Sequence, residues 1–70
     1  MNEIKLIKEY ITLGQLLQEA GVINTGGMAK WFLSEYEVYV NGELEDRRGR
    51  KLYNKDTVII PGVGEFVVSS

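Results

Sequence analysis

Cysteine and histidine are both absent from the 70-residue sequence. Without cysteine the chain has no disulfide and no thiolate metal site, so a small core must hold it together unaided. Without histidine it lacks the usual general base near neutral pH, the commonest transition-metal ligand, and the partner that activates serine or cysteine nucleophiles. These absences argue against an enzyme, a metal site and a bound cofactor.

Long apolar runs are also missing. No stretch approaches the ~20 residues needed to span a bilayer, and the start, MNEIKLIKEY, lacks the apolar run of a secretory signal. We therefore expect a cytoplasmic protein with no membrane partner. Its 44% hydrophobic and 26% charged residues are typical of a folded domain, and a chain of this length has room for one small core. We expect one domain spanning residues 1–70.

Positive charge is scarce but concentrated. Five of the eight lysines and arginines fall within nine consecutive residues that contain no carboxylate, although the whole chain has a net charge of −2. Here Arg47, Arg48, Arg50 and Lys51 surround Gly49, which can bend the chain and spread the side chains. Arginine matches phosphate geometry, and clustered cations attract a polyanion by releasing its counterions. On charge alone, a solvated loop balanced by nearby acids explains this segment equally well.

The apolar spacing predicts two helices after a short N-terminal strand at residues 4–9. In ITLGQLLQEAG, Thr12 can cap a helix, the leucines form an apolar stripe, and Gly21 supplies a left-handed stop. A second helix runs through GGMAKWFLSEY, and Asn24 or Thr25 can act as its cap. Both helices are short and closely connected, as in a packed helix pair.

A period of two replaces the helical period in EVYVNGEL, where Val38 and Val40 alternate with polar residues. Asn41-Gly42 is typical of a tight hairpin turn. TVIIPG and GEFVVSS then indicate two further strands bounded by turn residues. The order strand, helix, helix and three or four strands predicts an α+β fold, in which two short packed helices lie against a small, mainly antiparallel sheet.

The outward side of the second helix is a further candidate site, because Lys30, Trp31 and Ser34 lie about one turn apart. An exposed tryptophan beside a lysine can stack on an unpaired base. The alternative, favoured on the pattern alone, places Trp31 in the core. Tyr39 and Tyr53 have the same ambiguity.

Two adjacent glycines, beginning at Gly26, open the second helix and could present bare amides to a phosphate. Their spacing matches neither a Walker loop nor a dinucleotide fingerprint. A tight turn between the helices is therefore the simpler interpretation.

Taken in order, these features resemble the RNA-binding domain of ribosomal protein S-four, also called the alpha-L motif. The resemblance covers about residues 12–61, and its most specific parts are V-x-V-N-G at Val38 to Gly42 and K-D-x-V at Lys55 to Val58. GGMAKWFLSE, VNGE and RRGRKLY resemble the small stand-alone bacterial members, the YaaA-type proteins. The resemblance implies a non-catalytic RNA-binding protein that associates with ribosomal RNA and ribosomal particles, through the large subunit or its assembly.

In the family, the second helix and the hairpin form an L-shaped surface that grips structured RNA. By position, the resemblance assigns this surface to Asn24, Thr25, Gly26, Lys30, Ser34, Tyr39, Asn41 and Gly42. Asn41 is better explained as a turn residue than as a base reader.

This chain departs from the family pattern at three places on that surface. Gly26 stands where arginine is common, Trp31 where a basic residue is common, and Tyr36 where glycine is usual. We therefore expect the basic loop, residues 47–51, to replace the missing cations, with Lys30 and Trp31 giving orientation. The alternative is a protein-interaction module whose basic loop binds an acidic partner. Whether the chain acts as a monomer is left open by the sequence.

Overall fold

A computed structural model describes all 70 residues, which form seven strands, two α-helices and one 3-10 turn. Neither helix is long and apolar enough to cross a membrane. The strands are β1 Asn2–Lys5, β2 Ile11–Thr12, β3 Tyr39–Val40, β4 Glu43–Leu44, β5 Lys51–Leu52, β6 Thr57–Ile60 and β7 Gly64–Ser69. The helices are α1 Leu13–Glu19 and α2 Ala29–Glu35, and the 3-10 turn Gly26–Met28 directly precedes α2.

Five strands form the main sheet in the order β1-β7-β6-β3-β4, and β2 pairs with β5 in a separate two-stranded ribbon. Only the pairing of β1 with β7 is parallel; the other pairings are antiparallel. The two helices pack against this mostly antiparallel sheet, so the predicted α+β class is confirmed.

The first strand is shorter than the sequence suggested, because it ends at Lys5 and not at Glu9. The amide of Leu6 still donates to the carbonyl of Ser69, at 2.7 Å. Since β7 ends there, the residues that follow have no partner strand, and Ile7 is 94% exposed.

Helix α1 begins as the sequence predicted. Thr12 is extended, its hydroxyl accepts from the amide of Gln15, and the Gln15 side chain accepts from the amide of Thr12. This reciprocal capping box satisfies two donors that a helix start leaves free. Gly21 ends the segment with a φ of 78°, in the left-handed region that suits glycine.

The second helix begins later than predicted, because the two glycines occupy a 3-10 turn and the α-helix starts at Ala29. Thr25 has extended backbone but makes no capping hydrogen bond through its side chain. Glycine is a poor helix former, which fits a weak first turn. At the other end the backbone of Tyr36 is already extended. Tyr36 is 48% exposed, and its ring stacks on Phe32 with the centroids 4.6 Å apart.

The turn between β3 and β4 has positive φ at both central residues, 51° at Asn41 and 84° at Gly42. This is the primed geometry that matches the twist of a hairpin. The Asn41 side chain also bridges to the start of β6: its oxygen accepts from the Thr57 amide at 2.9 Å, and its nitrogen donates to Asp56 at 3.1 Å. Asn41 therefore sets both the turn and the position of the next strand.

Replacing Asn41 separates these two roles. Asn41→Gly keeps a residue that tolerates positive φ and loses only the side-chain bonds, whereas Asn41→Ala loses the bonds and adds backbone strain. We expect Asn41→Ala to lower the free energy of unfolding by about 1 kcal/mol more than Asn41→Gly does. Urea denaturation of both variants measures the difference. Equal losses would mean that the turn conformation contributes nothing.

The core lies between the helices and one face of the main sheet. Strand residues facing the helices alternate with residues on the opposite face, as a pleated strand requires. One contiguous apolar cluster results, formed by Ile4, Leu13, Leu16, Leu17, Ile23, Ala29, Phe32, Leu33, Val38, Val40, Leu52, Val58, Ile60, Phe66 and Val68.

Candidate nucleic-acid interface

The basic loop is fastened to the start of α1 through its backbone. The amide of Leu13 donates to the carbonyl of Arg50, and the amide of Gly14 donates to the carbonyl of Arg48, both at 2.8 Å. The last residue of the loop, Lys51, begins β5, which pairs with β2. The first amides of α1 are therefore already hydrogen-bonded to the loop. The loop exposes its side chains to solvent.

Gly14 is the position that allows this close approach. A Cβ there would lie 3.3 Å from the Cβ of Ala29 on α2 and 3.3 Å from the carbonyl oxygen of Arg48. The absence of a side chain lets α1, α2 and the loop meet at one point. The sequence analysis did not single out Gly14. The signal that could have identified it is a glycine within a segment whose other residues favour a helix.

Glu45 organises two of the loop's four cations. Its carboxylate accepts from the guanidinium of Arg47 at 2.9 and 3.0 Å and from that of Arg50 at 2.8 Å, and also from the backbone amides of Asp46 and Arg47. The residue is only 7% exposed. The pKa of Glu45 is lowered to about 2, chiefly by the side-chain hydrogen bond from Arg47, with a further contribution from Arg50. Burial of the carboxyl group acts in the opposite direction and raises the pKa. Charged hydrogen bonds of this kind stabilise the ionised carboxylate.

Of the loop cations, Arg48 and Lys51 make no salt bridge, since both ion pairs of the chain belong to Glu45. Arg48 is exposed. The ammonium of Lys51 lies 4.8 Å from the ring centroid of Tyr10. The expected set of four cations thus divides into a pair that holds the loop and a pair that remains available.

A shallow groove of about 280 Å³ joins Arg48 to the beginning of α2. Arg48 and Gly49 of the basic loop line it together with Gly26 of the 3-10 turn. Its lining consists of Thr12, Gly14, Gln15, Gln18, Gly26, Ala29, Arg48 and Gly49. The structure therefore brings together two candidates that lie far apart in the sequence, the glycine turn and the basic loop.

The exposed face of α2 carries Lys30, Trp31 and Ser34. Trp31 is 53% exposed, so the preference for a core tryptophan was wrong. The reason is that α2 is only seven residues long and its inward positions are taken by Ala29, Phe32 and Leu33. Trp31 instead contacts Phe32 edge-on, at 6.5 Å between centroids, and its carbonyl accepts from the Ser34 hydroxyl at 2.7 Å.

Asn24 and Tyr39 lie away from the groove. Asn24 lines a separate cleft beside Tyr10, while Thr25 is an exposed residue just before the 3-10 turn. Tyr39 alternates with the buried Val38 and Val40 and so points to the face of the sheet opposite the core. Its hydroxyl donates to Glu37 at 3.1 Å, which raises the pKa of Tyr39. No group of three or more acidic, histidine or cysteine residues could hold a metal ion.

Comparison with known proteins identifies the family of the chain. A family model described as "S4 domain", that is, the S-four domain, matches residues 4–69. A protein of Bacillus subtilis (strain 168), described as "Probable ribosome maturation protein RlbA", is 61% identical over 67 residues, which cover 96% of this chain and 94% of that protein. The chain therefore belongs to the S4 domain family of RNA-binding domains, and it is similar to the small stand-alone bacterial members of that family.

Proposed function

We propose that this protein binds ribosomal RNA without catalysing a reaction, and that it acts on ribosomal particles in the cytoplasm, at the large subunit or during its assembly. Membership of the S4 domain family supports RNA as the ligand. The description of the Bacillus relative as a ribosome maturation protein supports the ribosomal setting.

The observation that carries the proposal is the groove between Arg48 and the glycine turn at Gly26. An unpaired guanidinium on the rim of a groove can bind a phosphate through two parallel hydrogen bonds. Gly26 lines the same groove and has no side chain to fill it, so a backbone phosphate can approach closely. Lys30 adds a second unpaired cation on the following helix.

Trp31 and Ser34 extend this surface along α2. A half-exposed indole offers a flat face on which an unpaired base or a sugar can stack. Arg47 and Arg50 act mainly by holding the loop in place through Glu45. The Arg47 side chain is nevertheless 70% exposed, so it can also meet a neighbouring phosphate while it remains bonded to Glu45.

Crosslinking in cells tests the proposal. A tagged protein is irradiated with ultraviolet light and the attached RNA is sequenced, for wild type, Arg48→Ala and a charge-matched control, Lys55→Gln. Lys55 belongs to the same basic segment, but its amide bonds to Val68 of β7, away from the groove. We expect enrichment at one ribosomal RNA region that Arg48→Ala loses and Lys55→Gln retains.

Two other outcomes would change the proposal. Enrichment that survives Arg48→Ala would move the phosphate contact to the Lys30 face of α2. No enrichment for wild type, together with a protein partner that stays bound after nuclease treatment, would favour the protein-interaction module.

The three unpaired cations of the basic loop and α2 predict the salt dependence of binding at this surface. Arg48, Lys51 and Lys30 make no ion pair, and three phosphate contacts give a slope of log affinity against log salt of about −2 to −3. Filter binding of a ribosomal RNA fragment across a salt series measures this slope, and Arg48→Ala should reduce it by about 1. Tight binding with a flat salt response would contradict the electrostatic account.

A further inference from the structure

A second concave surface, of about 630 Å³, lies between α1 and the segment that links β1 to β2. We call it the Tyr10 cleft, and the residues that matter to its chemistry are Lys5, Lys8, Tyr10, Gln18, Glu19 and Asn24. It shares Gln15 and Gln18 with the Arg48 groove. The two depressions therefore meet along the exposed side of α1.

Tyr10 lines the cleft and contacts a second exposed ring, that of Tyr53. Tyr10 and Tyr53 are 38% and 46% exposed, and their ring centroids are 6.1 Å apart with the planes tilted by 52°. The Lys51 ammonium lies 4.8 Å from the centroid of Tyr10. Neither ring belongs to the core. Exposed rings beside cations are the arrangement on which nucleic-acid bases stack.

The polar groups of the cleft suit a base and its phosphates. The side-chain amides of Gln18 and Asn24 form no hydrogen bond within the chain, whereas that of Gln15 is used in the helix cap. Each free amide offers donors and an acceptor, as the Watson–Crick edge of an unpaired base requires. Lys5 and Lys8 are exposed and unpaired, and Glu19 is the one carboxylate of the lining.

We propose that the Tyr10 cleft binds an unpaired nucleotide of the RNA, with its base stacked on Tyr10 and its edge hydrogen-bonded to Gln18 or Asn24. Lys5, Lys8 and Lys51 lie near the phosphates of the same strand. This inference rests on the proposed RNA-binding function. A single strand that crosses α1 reaches both the Tyr10 cleft and Arg48, because the two depressions share Gln15 and Gln18.

Oligonucleotides that differ only in their bases test the inference. The probes are a uridine octamer and an octamer of the same length in which every residue is abasic, so that the phosphates are equal in number. The proteins are wild type, Tyr10→Ala, Tyr10→Phe and the control Val63→Ala, which truncates an exposed apolar residue between β6 and β7. Affinities are measured by fluorescence anisotropy at one salt concentration, after circular dichroism has shown that each variant is folded.

Wild type and Val63→Ala should prefer the uridine octamer by about 5-fold or more, the range expected for stacking of one base. Tyr10→Phe should keep this preference because it keeps the ring. Tyr10→Ala should lose at least about 5-fold of it while binding the abasic octamer as wild type does. A Tyr10→Ala variant with the wild-type preference would overturn the inference, as would a wild type with no preference.

Photocrosslinking gives a second readout that needs no variant. An octamer with one 4-thiouridine is irradiated with the wild-type protein, and the attached peptide is identified by mass spectrometry. Attachment within residues 5–11 supports the Tyr10 cleft, even where Tyr10→Ala proves unfolded. Attachment at Trp31 alone places the stacked base on α2 and overturns the inference.

The failure of this inference can be told from failure of the proposed function. Binding of a ribosomal RNA fragment that depends on Arg48, without any binding of the uridine octamer, would reject the Tyr10 cleft and leave the proposed function standing. Absence of binding to every RNA would reject both.

Discussion

Leu16→Ala should lower the free energy of unfolding by about 2–5 kcal/mol, the usual cost of deleting a buried leucine side chain. Leu16 is fully buried in the cluster between α1, α2 and the sheet. Its removal loses the transfer free energy of the deleted carbons and leaves a cavity that a close-packed core fills only in part. A domain of this size is stable by about 4–10 kcal/mol in total, so the variant is expected near the limit of folding.

The matched control is Leu44→Ala, which removes the same atoms from a side chain that is 65% exposed on the edge strand β4. We expect it to stay within about 0.5 kcal/mol of wild type. Urea denaturation followed by far-ultraviolet circular dichroism measures both. Phe32→Ala should lower the free energy of unfolding about as much as Leu16→Ala does. Arg48→Ala should change it as little as the control Leu44→Ala does. Similar losses for Leu16→Ala and Leu44→Ala would mean that core and surface are wrongly assigned.

Glu45→Gln should destabilise the protein at neutral pH by about 1–3 kcal/mol, and the difference from wild type should disappear in acid. The pKa of Glu45 is lowered in the folded state to about 2 from an ordinary value of 4.5. Because the carboxyl pKa is lower in the folded state, the ionised carboxylate stabilises the fold at pH values above the ordinary pKa. This stabilisation is lost as the pH falls from about 4.5 to about 2. The Arg47 side chain is 70% exposed, so solvent screens its interaction with Glu45. The loss of stability is therefore smaller than the full pKa shift would give.

The measurement is urea denaturation of wild type and Glu45→Gln at pH 7 and at several values between pH 5 and pH 2. Glu65→Gln is the control, because Glu65 is exposed and forms no ion pair; it should change stability by less than about 0.5 kcal/mol at pH 7. A constant difference between wild type and Glu45→Gln across the whole range would show that the ionised carboxylate does not hold the loop.

Features that depend on neighbouring residues were predictable from the sequence. The capping box at Thr12 and Gln15 and the primed turn at Asn41 and Gly42 follow from side-chain chemistry within a few residues of chain. The alternation around Val38 and Val40 likewise indicated which face of the hairpin is buried. Local constraints of this kind act wherever the segment lies in the fold.

Features that depend on distant segments were not predictable. The parallel pairing of β1 with β7 joins residues about 64 positions apart, and no local pattern specifies such a partner. Glu45 lies only two and five positions from Arg47 and Arg50, but the pairing depends on the conformation of the loop, whose backbone is bonded to the distant start of α1. Trp31 was misplaced because the inward positions of the seven-residue α2 are taken by Ala29, Phe32 and Leu33, which pack into the core formed with distant segments.

The sequence by itself determined the class of fold, the hairpin and the concentration of positive charge in one loop, because composition and short-range spacing are properties of the chain alone. Only the tertiary structure decided which cations are free and which surfaces meet. Gly14 lets the loop, α1 and α2 approach one another, and that approach brings Arg48 and Gly26 to one groove, which shares Gln15 and Gln18 with the Tyr10 cleft. Such contacts arise from packing between segments that are remote in sequence, and a single sequence carries no local signal of them.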